Sequence, residues 1–243
     1  LVTVNDNLVI GGAGTYTKST TGKLVLDGDI TLTDSSTIQN FGVVEIGSDG
    51  DATVSLGTAV TVDELTVIES DTLNLSSYNL TVTDTGENGL TVNGTLNALN
   101  SLQVTVKDNF VISTTGTYTP STTGTLILDE TLNLSDNRET QATIGIVQIG
   151  QGASADITFT TDIIADRLTI TANDKLTLPG KKLTITDTGL NGLTINGILD
   201  ASTADSDIDV NETSLTQAVV LGSSSELKLS SNSIFSSEGG WDG

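Results

Sequence analysis

The chain is predicted to be all-β and, within that class, a β-solenoid (β-helix). Three observations carry this: apolar residues alternate in short period-two pairs, a long internal repeat recurs, and the repeat stops part-way through a copy. Tandem β-sandwich domains are the alternative with the same strand content.

The alternation is seen in pairs such as Val2/Val4, Leu24/Leu26, Val44/Ile46, Leu65/Val67, Leu80/Val82 and Leu90/Val92. Successive side chains of a strand point to opposite faces, so each pair shares one face and the Thr, Asn or charge between them faces out. Each strand therefore buries about two side chains. Strands this short, closed by turn residues every few positions, suit the flat faces of a solenoid with ~20 residues per coil better than the longer strands of a sandwich. Aromatics make up only 3% of the chain, which leaves Leu, Val and Ile to build the core, and 25 glycines argue against helix.

The repeat is most visible in "TDTGENGLTVNGTLNA" at 83–98, which returns at 186–201 as "TDTGLNGLTINGILDA" with twelve of sixteen positions identical. "VTVNDN" at 2–7 matches "VTVKDN" at 104–109, and "GTYTKSTTG" at 14–22 matches "GTYTPSTTG" at 116–124. The unit is about 103 residues, giving copy 1 at 1–102, copy 2 at 103–205, and a partial third copy with a tail at 206–243. A sandwich domain cut to that fraction would leave its core unburied, whereas a stack of coils can stop after any turn. One continuous stack is the expectation.

With "LTVTDTGENGLTVNGTLNA" and "LTITDTGLNGLTINGILDA" as its signature, the chain resembles microbial β-helical surface proteins. These include autotransporter passenger regions, filamentous haemagglutinin-type adhesins, and sheath or surface-layer proteins. The resemblance implies secretion, a rod-like fold, and adhesive or structural roles without catalysis.

Composition excludes several functions. A net charge of −22, from 31 acidic and nine basic residues, repels nucleic acid and anionic lipid, so neither nucleic-acid binding nor membrane insertion is expected. There is no Cys and no His, hence no thiolate, no imidazole base and no Cys-based metal site. Only Arg138 and Arg167 offer a bidentate clamp for an anion. A non-enzymatic protein without a cofactor is expected, with a polysaccharide-active β-helix enzyme as the remaining catalytic alternative. The chain has no Met, so Leu1 is not an initiator, and removal of an N-terminal segment with an extracellular or cell-surface location is the expectation.

Individual features follow the same logic. The Asn-Gly pairs Asn88/Gly89, Asn93/Gly94, Asn191/Gly192 and Asn196/Gly197 mark tight corners that tolerate positive φ. Tyr16 and Tyr118, equivalent in the two copies, are expected as corner plugs with packed rings and wet hydroxyls. Position 18 is Lys where copy 2 has Pro120, which places both in a loop or at an edge. Asp205, Asp207 and Asp209 have the spacing of a calcium run but lack the glycine and distal glutamate of a helix-loop-helix site. They are expected either on the outer face of a strand or, as the one metal candidate, around calcium. Five Asn-x-Ser/Thr triplets, at Asn74, Asn79, Asn93, Asn133 and Asn211, are near the number chance would supply.

The ends suggest the function. Strand-like sequence begins at once with Leu1, Val2 and Val4, and Trp241 sits in the tail "SSEGGWDG". Unpaired strand edges invite pairing with another chain, so these four residues are the candidates for self-association, in a filament, sheath or layer built by head-to-tail strand stacking. The competing class is a monomeric adhesin rod that binds a host receptor or glycan.

Overall fold

A computed structural model describes the chain except residues 37–39, 49–50, 84–88, 153, 187–190, 212–218, 238–240 and 243; for Trp241 and Asp242 it describes the backbone alone. Among the described residues there is no helix, and every strand pairing is parallel. The fold is a β-solenoid. It divides into two compact units, Leu1–Gly124 and Thr125–Gly243, whose boundary falls inside the second sequence copy.

In the first unit the chain winds past three sheets. The first stacks Val2–Val4, Lys23–Leu26, Val43–Ile46, Glu64–Val67, Leu90–Val92 and Phe110–Ile112. The second stacks Leu8–Ile10, Ile30–Asp34, Thr53–Leu56, Thr72–Asn74, Thr95–Asn97 and Thr117–Thr119; the third holds Val60–Val62, Leu80–Val82 and Gln103–Val106. Leu24, Val44, Leu65, Leu90 and Phe110 lie one above another in register, and so do Leu26, Ile46, Val67, Val92 and Ile112. The steps between them are 20, 21, 25 and 20 residues, near the expected coil length. All ten side chains are buried, each worth about 1.5–3 kcal/mol relative to an exposed position.

The second unit is built in the same way. One sheet runs from Thr125–Leu128 through Ile146–Ile149, Arg167–Ile170, Leu193–Ile195 and Val219–Leu221 to Trp241–Asp242. A second runs from Thr131–Asp136 through Asp156–Phe159, Lys175–Thr177 and Ile198–Ala201 to Glu226–Leu229, and a third from Ile163–Ala165 through Lys182–Ile185 and Asp207–Val210 to Ile234–Ser237.

The sequence repeat and the coil do not share a period. Val2/Val4 correspond in sequence to Val104/Val106, yet Val2–Val4 belongs to the first sheet and Gln103–Val106 to the third. Likewise Leu8–Ile10 lies in the second sheet and its counterpart Phe110–Ile112 in the first. One copy thus fills a non-integral number of turns.

Two expectations need correction. Gly94 and Gly197 do not have positive φ; they are required because a Cβ at either would overlap backbone carbonyl oxygens of the neighbouring coil, Ile68 and Asp71 for Gly94, Thr171 and Asp174 for Gly197. Among the described residues positive φ falls instead on Gly28, Gly42, Gly47, Gly145, Gly150 and Gly180, and on Ser70, Ser76, Glu130, Asn173 and, within an Asn-Gly pair, Asn191 (φ 64°). Asn88 lies outside the described residues. Tyr118 is not a corner plug: it takes an inward strand position beside Leu96, is 4% exposed, and meets Phe110 edge-on at 5.8 Å. Tyr16 lies outside the strands, half-buried, with its ring 5.1 Å from that of Phe41. Pro120 follows the strand Thr117–Thr119, outside any ladder.

Candidate functional site

One interior void of the first unit, of about 10 Å³, is lined only by apolar side chains, among them Leu26, Val44, Leu65 and Leu80.

Of the acidic run, Asp207 and Asp209 lie on the strand Asp207–Val210, alternating with the buried Ile208 and Val210. Asp209 and Asp205 have separate partners. Lys182 Nζ lies 3.5 Å from Asp209, and Ser236 donates to Asp209 at 2.9 Å. Asp205 accepts from the Ser230 hydroxyl at 2.7 Å and from Asn232 at 3.0 Å, and these bonds hold its carboxyl below the usual carboxylate range. Among the described residues no three His, Cys, Asp or Glu side chains come together as a metal-holding group.

The two arginines do not converge on a site. Arg138 folds back on Asp136 through Nε (2.8 Å) and a terminal nitrogen (2.6 Å), and also donates to the Ala142 carbonyl. Both side chains are almost wholly buried, 9% and 0% exposed. This pair ties down the loop that follows Thr131–Asp136, and Arg167 lies elsewhere, on the strand Arg167–Ile170.

A carboxylate clasp recurs in the two copies, among residues that the sequence reading did not single out. Asp71 (1% exposed) accepts from the Ala52 N–H at 2.6 Å and Asp174 (3% exposed) from the Ala155 N–H at 2.7 Å. Thr171 also donates its hydroxyl to Asp174. Each carboxylate lies over a glycine held at positive φ, Gly47 (82°) and Gly150 (81°), where no side chain could be accommodated. A signal was present: the Gly…Asp spacing is the same in both copies. Burial and bonding to backbone make this a joint between coils.

A second cluster distinguishes the copies. Lys18 bonds both oxygens of Asp63 at 2.7 and 2.6 Å, and Asn40 donates to Asp63 at 2.7 Å. Burial alone would raise the Asp63 pKa, but the bonds from Lys18, Asn40 and Thr83 outweigh it and the carboxyl titrates below its usual range. Copy 2 has Pro120 in place of the lysine.

The four self-association candidates lie at strand edges. Val2–Val4 is paired on one side only, with Lys23–Leu26. Val2 points inward, over Leu24, yet is 60% exposed where Leu24 is 3% exposed; Leu1 is 82% exposed. At the other terminus Leu229 lies over Ala201, inward and 40% exposed against 0%. The backbone of Trp241 and Asp242 pairs with Val219 and Val220 of the same chain. Among the described residues, Glu226–Leu229, Ile234–Ser237 and Trp241–Asp242 each have a strand partner on one side.

No protein-family model, curated protein or solved structure matches the chain. No helix among the described residues is long and apolar enough to cross a membrane.

Proposed function

We propose that the chain is a non-enzymatic structural protein of the cell surface or extracellular space that assembles end to end through its terminal strands. The observation that carries this is the stacking of coil on coil through short parallel strands, a pairing that a further copy of the chain can continue. Val2, Val4 and Leu8, and likewise Leu227 and Leu229, are only partly covered at positions that neighbouring coils bury. A strand edge with unpaired N–H and C=O groups and uncovered apolar side chains is a template for a further coil. The contact is heterologous, so it does not close on itself and continues as a filament.

The experiment is electron microscopy with light scattering on the 243-residue chain as concentration rises. Regular fibres are expected, with Val4→Glu or Leu229→Glu each stopping growth while leaving the circular dichroism spectrum unchanged. A wild-type chain that stays monomeric at high concentration refutes end-on assembly, and isolated rods in the micrographs would favour the adhesin reading.

A further inference from the structure

The chain carries 31 acidic residues, yet the strands of one broad face place no charge outward, and Asp29 stands at its border beside Thr31, Thr53 and Ser55. The outward positions of the second sheet of the first unit are Val9, Thr31, Thr33, Thr53, Ser55, Thr72, Asn74, Thr95, Asn97, Thr117 and Thr119. All but Val9 and Thr33, which pair with each other, form two regular columns, in one of which Asn97 donates to Asn74 at 3.0 Å. The fold does not require this neutrality. The counterparts of three of these strands in copy 2 keep their inward residues apolar, as Ile157, Leu176 and Leu199, but place Asp156, Lys175 and Asp200 outward.

A second observation falls on the same face. Among the described residues of the first unit, apart from Leu1 and Val2, the large apolar side chains that are exposed are Val9, Tyr78, Leu99 and Leu102. Val9 lies on the face itself, 63% exposed, and the others sit on the corners that leave it, after Thr72–Asn74 and Thr95–Asn97. Leu102 is 69% exposed. A neutral flat strip with an apolar border is the composition of a contact surface.

We propose that this face is a lateral contact between copies of the chain, joining rows of subunits side by side. Charge selects the partner. Two molecules of net charge −22 repel through their other surfaces, whereas this strip can meet itself in an isologous contact with no buried charge. Area sets the conditions. Six strands at ~4.8 Å and three residues at ~3.3 Å give about 300 Å² per partner, well below the ~800 Å² of a stable pair. One contact does not hold two free subunits, but the same contact repeated along a row adds up. The acids Asp29, Asp51 and Glu69, exposed on the opposite border, oppose approach at low salt. Salt therefore strengthens the contact by screening them.

This inference borrows from the end-on reading only the row that supplies many copies, so its test supplies the copies artificially. Beads densely coated with the chain are expected to clump in high salt and disperse in low salt. Beads coated with the Leu99→Glu/Leu102→Glu variant, or with Thr95→Asp should the double variant fail to fold, are expected to stay dispersed in both. Wild-type beads that never clump, clump equally with the variants, or clump only in low salt overturn the lateral contact. Clumping that the variants abolish, from a chain that makes no fibres, leaves the lateral contact standing and removes end-on assembly; single fibres with dispersed beads do the reverse.

Discussion

Replacing Gly150 with Ala places a methyl where the structure has room for none. The residue has φ 81°, a region that costs an L side chain about 1–2 kcal/mol. The new Cβ would overlap Asp174 Oδ2 and stand 2.6 Å from Oδ1, so the carboxylate must turn away. Asp174 is 3% exposed, and turning it removes the acceptor of the buried Ala155 N–H, at about 1–3 kcal/mol. Overpacking adds about 1–3 kcal/mol, partly shared with the previous loss, for a total of about 3–6 kcal/mol. At about 2–4 °C per kcal/mol for a chain of this length, the melting temperature should fall by about 10–20 °C in thermal unfolding followed by circular dichroism. Gly152→Ala is the control: no atom lies within 4 Å of its Cβ position, and a change within about 0.5 kcal/mol is expected. Gly150→Ala combined with Asp174→Ala should cost less than the sum of the two, because the second substitution removes the obstacle met by the first. A Gly150→Ala protein that melts within about 3 °C of wild type would refute the clasp as a tightly packed joint.

Three further outcomes are expected. Gly94→Ala and Gly197→Ala press on backbone carbonyls that no rotamer change can move, and each should lower stability by about 3 kcal/mol or more in urea titration; a loss below about 1 kcal/mol would count against close coil packing as their reason. Arg138→Ala leaves the Asp136 carboxylate buried without its cation, which should cost about 3–5 kcal/mol, while Arg138→Met with Asp136→Leu should recover most of it; equal losses in both would refute the buried pair as the cause. For acid, Asp63 titrates low through Lys18, Asn40 and Thr83 despite burial; Asp200 does so first through the Ser202 hydroxyl, against some burial, and then through the Ser202 N–H, Lys175 and Lys228. A depressed folded-state pKa stabilises the fold above the unfolded value near ~3.9, and the contribution is lost as pH falls through the folded one, so melting temperature should drop below about pH 4. Asp63→Asn should flatten that drop, and an unchanged acid limb would sink the assignment.

The fold class was legible because alternation is a local property that the backbone enforces. Leu24/Leu26, Leu65/Val67 and Leu90/Val92 each bury both members as their spacing predicts. The roles of the glycines were not legible, because what matters at Gly94 and Gly197 is the carbonyl of another coil, which no local pattern reveals. Tyr118 was misplaced for a related reason: its hydroxyl suggested water, but the coil turns it inward onto Phe110. Asp71 and Asp174 look in sequence like any of the acids at turns; only their burial against Gly47 and Gly150 separates them. Of the surface, the strand at Val2–Val4 was legible from its alternation, while the strand Trp241–Asp242 lies in what reads as a tail, and the neutral face was hidden because a threonine every second residue says nothing of which strands will lie side by side.

The mismatch between repeat and coil has a consequence for how such a chain can change. When a duplicated segment starts again on a different side of the coil, its inward residues meet the same demands, but its outward residues look onto new surroundings. Val2/Val4 and Val104/Val106 have kept their identity through that rotation, and Thr72 and Lys175 have not. Duplication therefore need not print the same outward surface twice, which leaves each copy open to acquire its own chemistry.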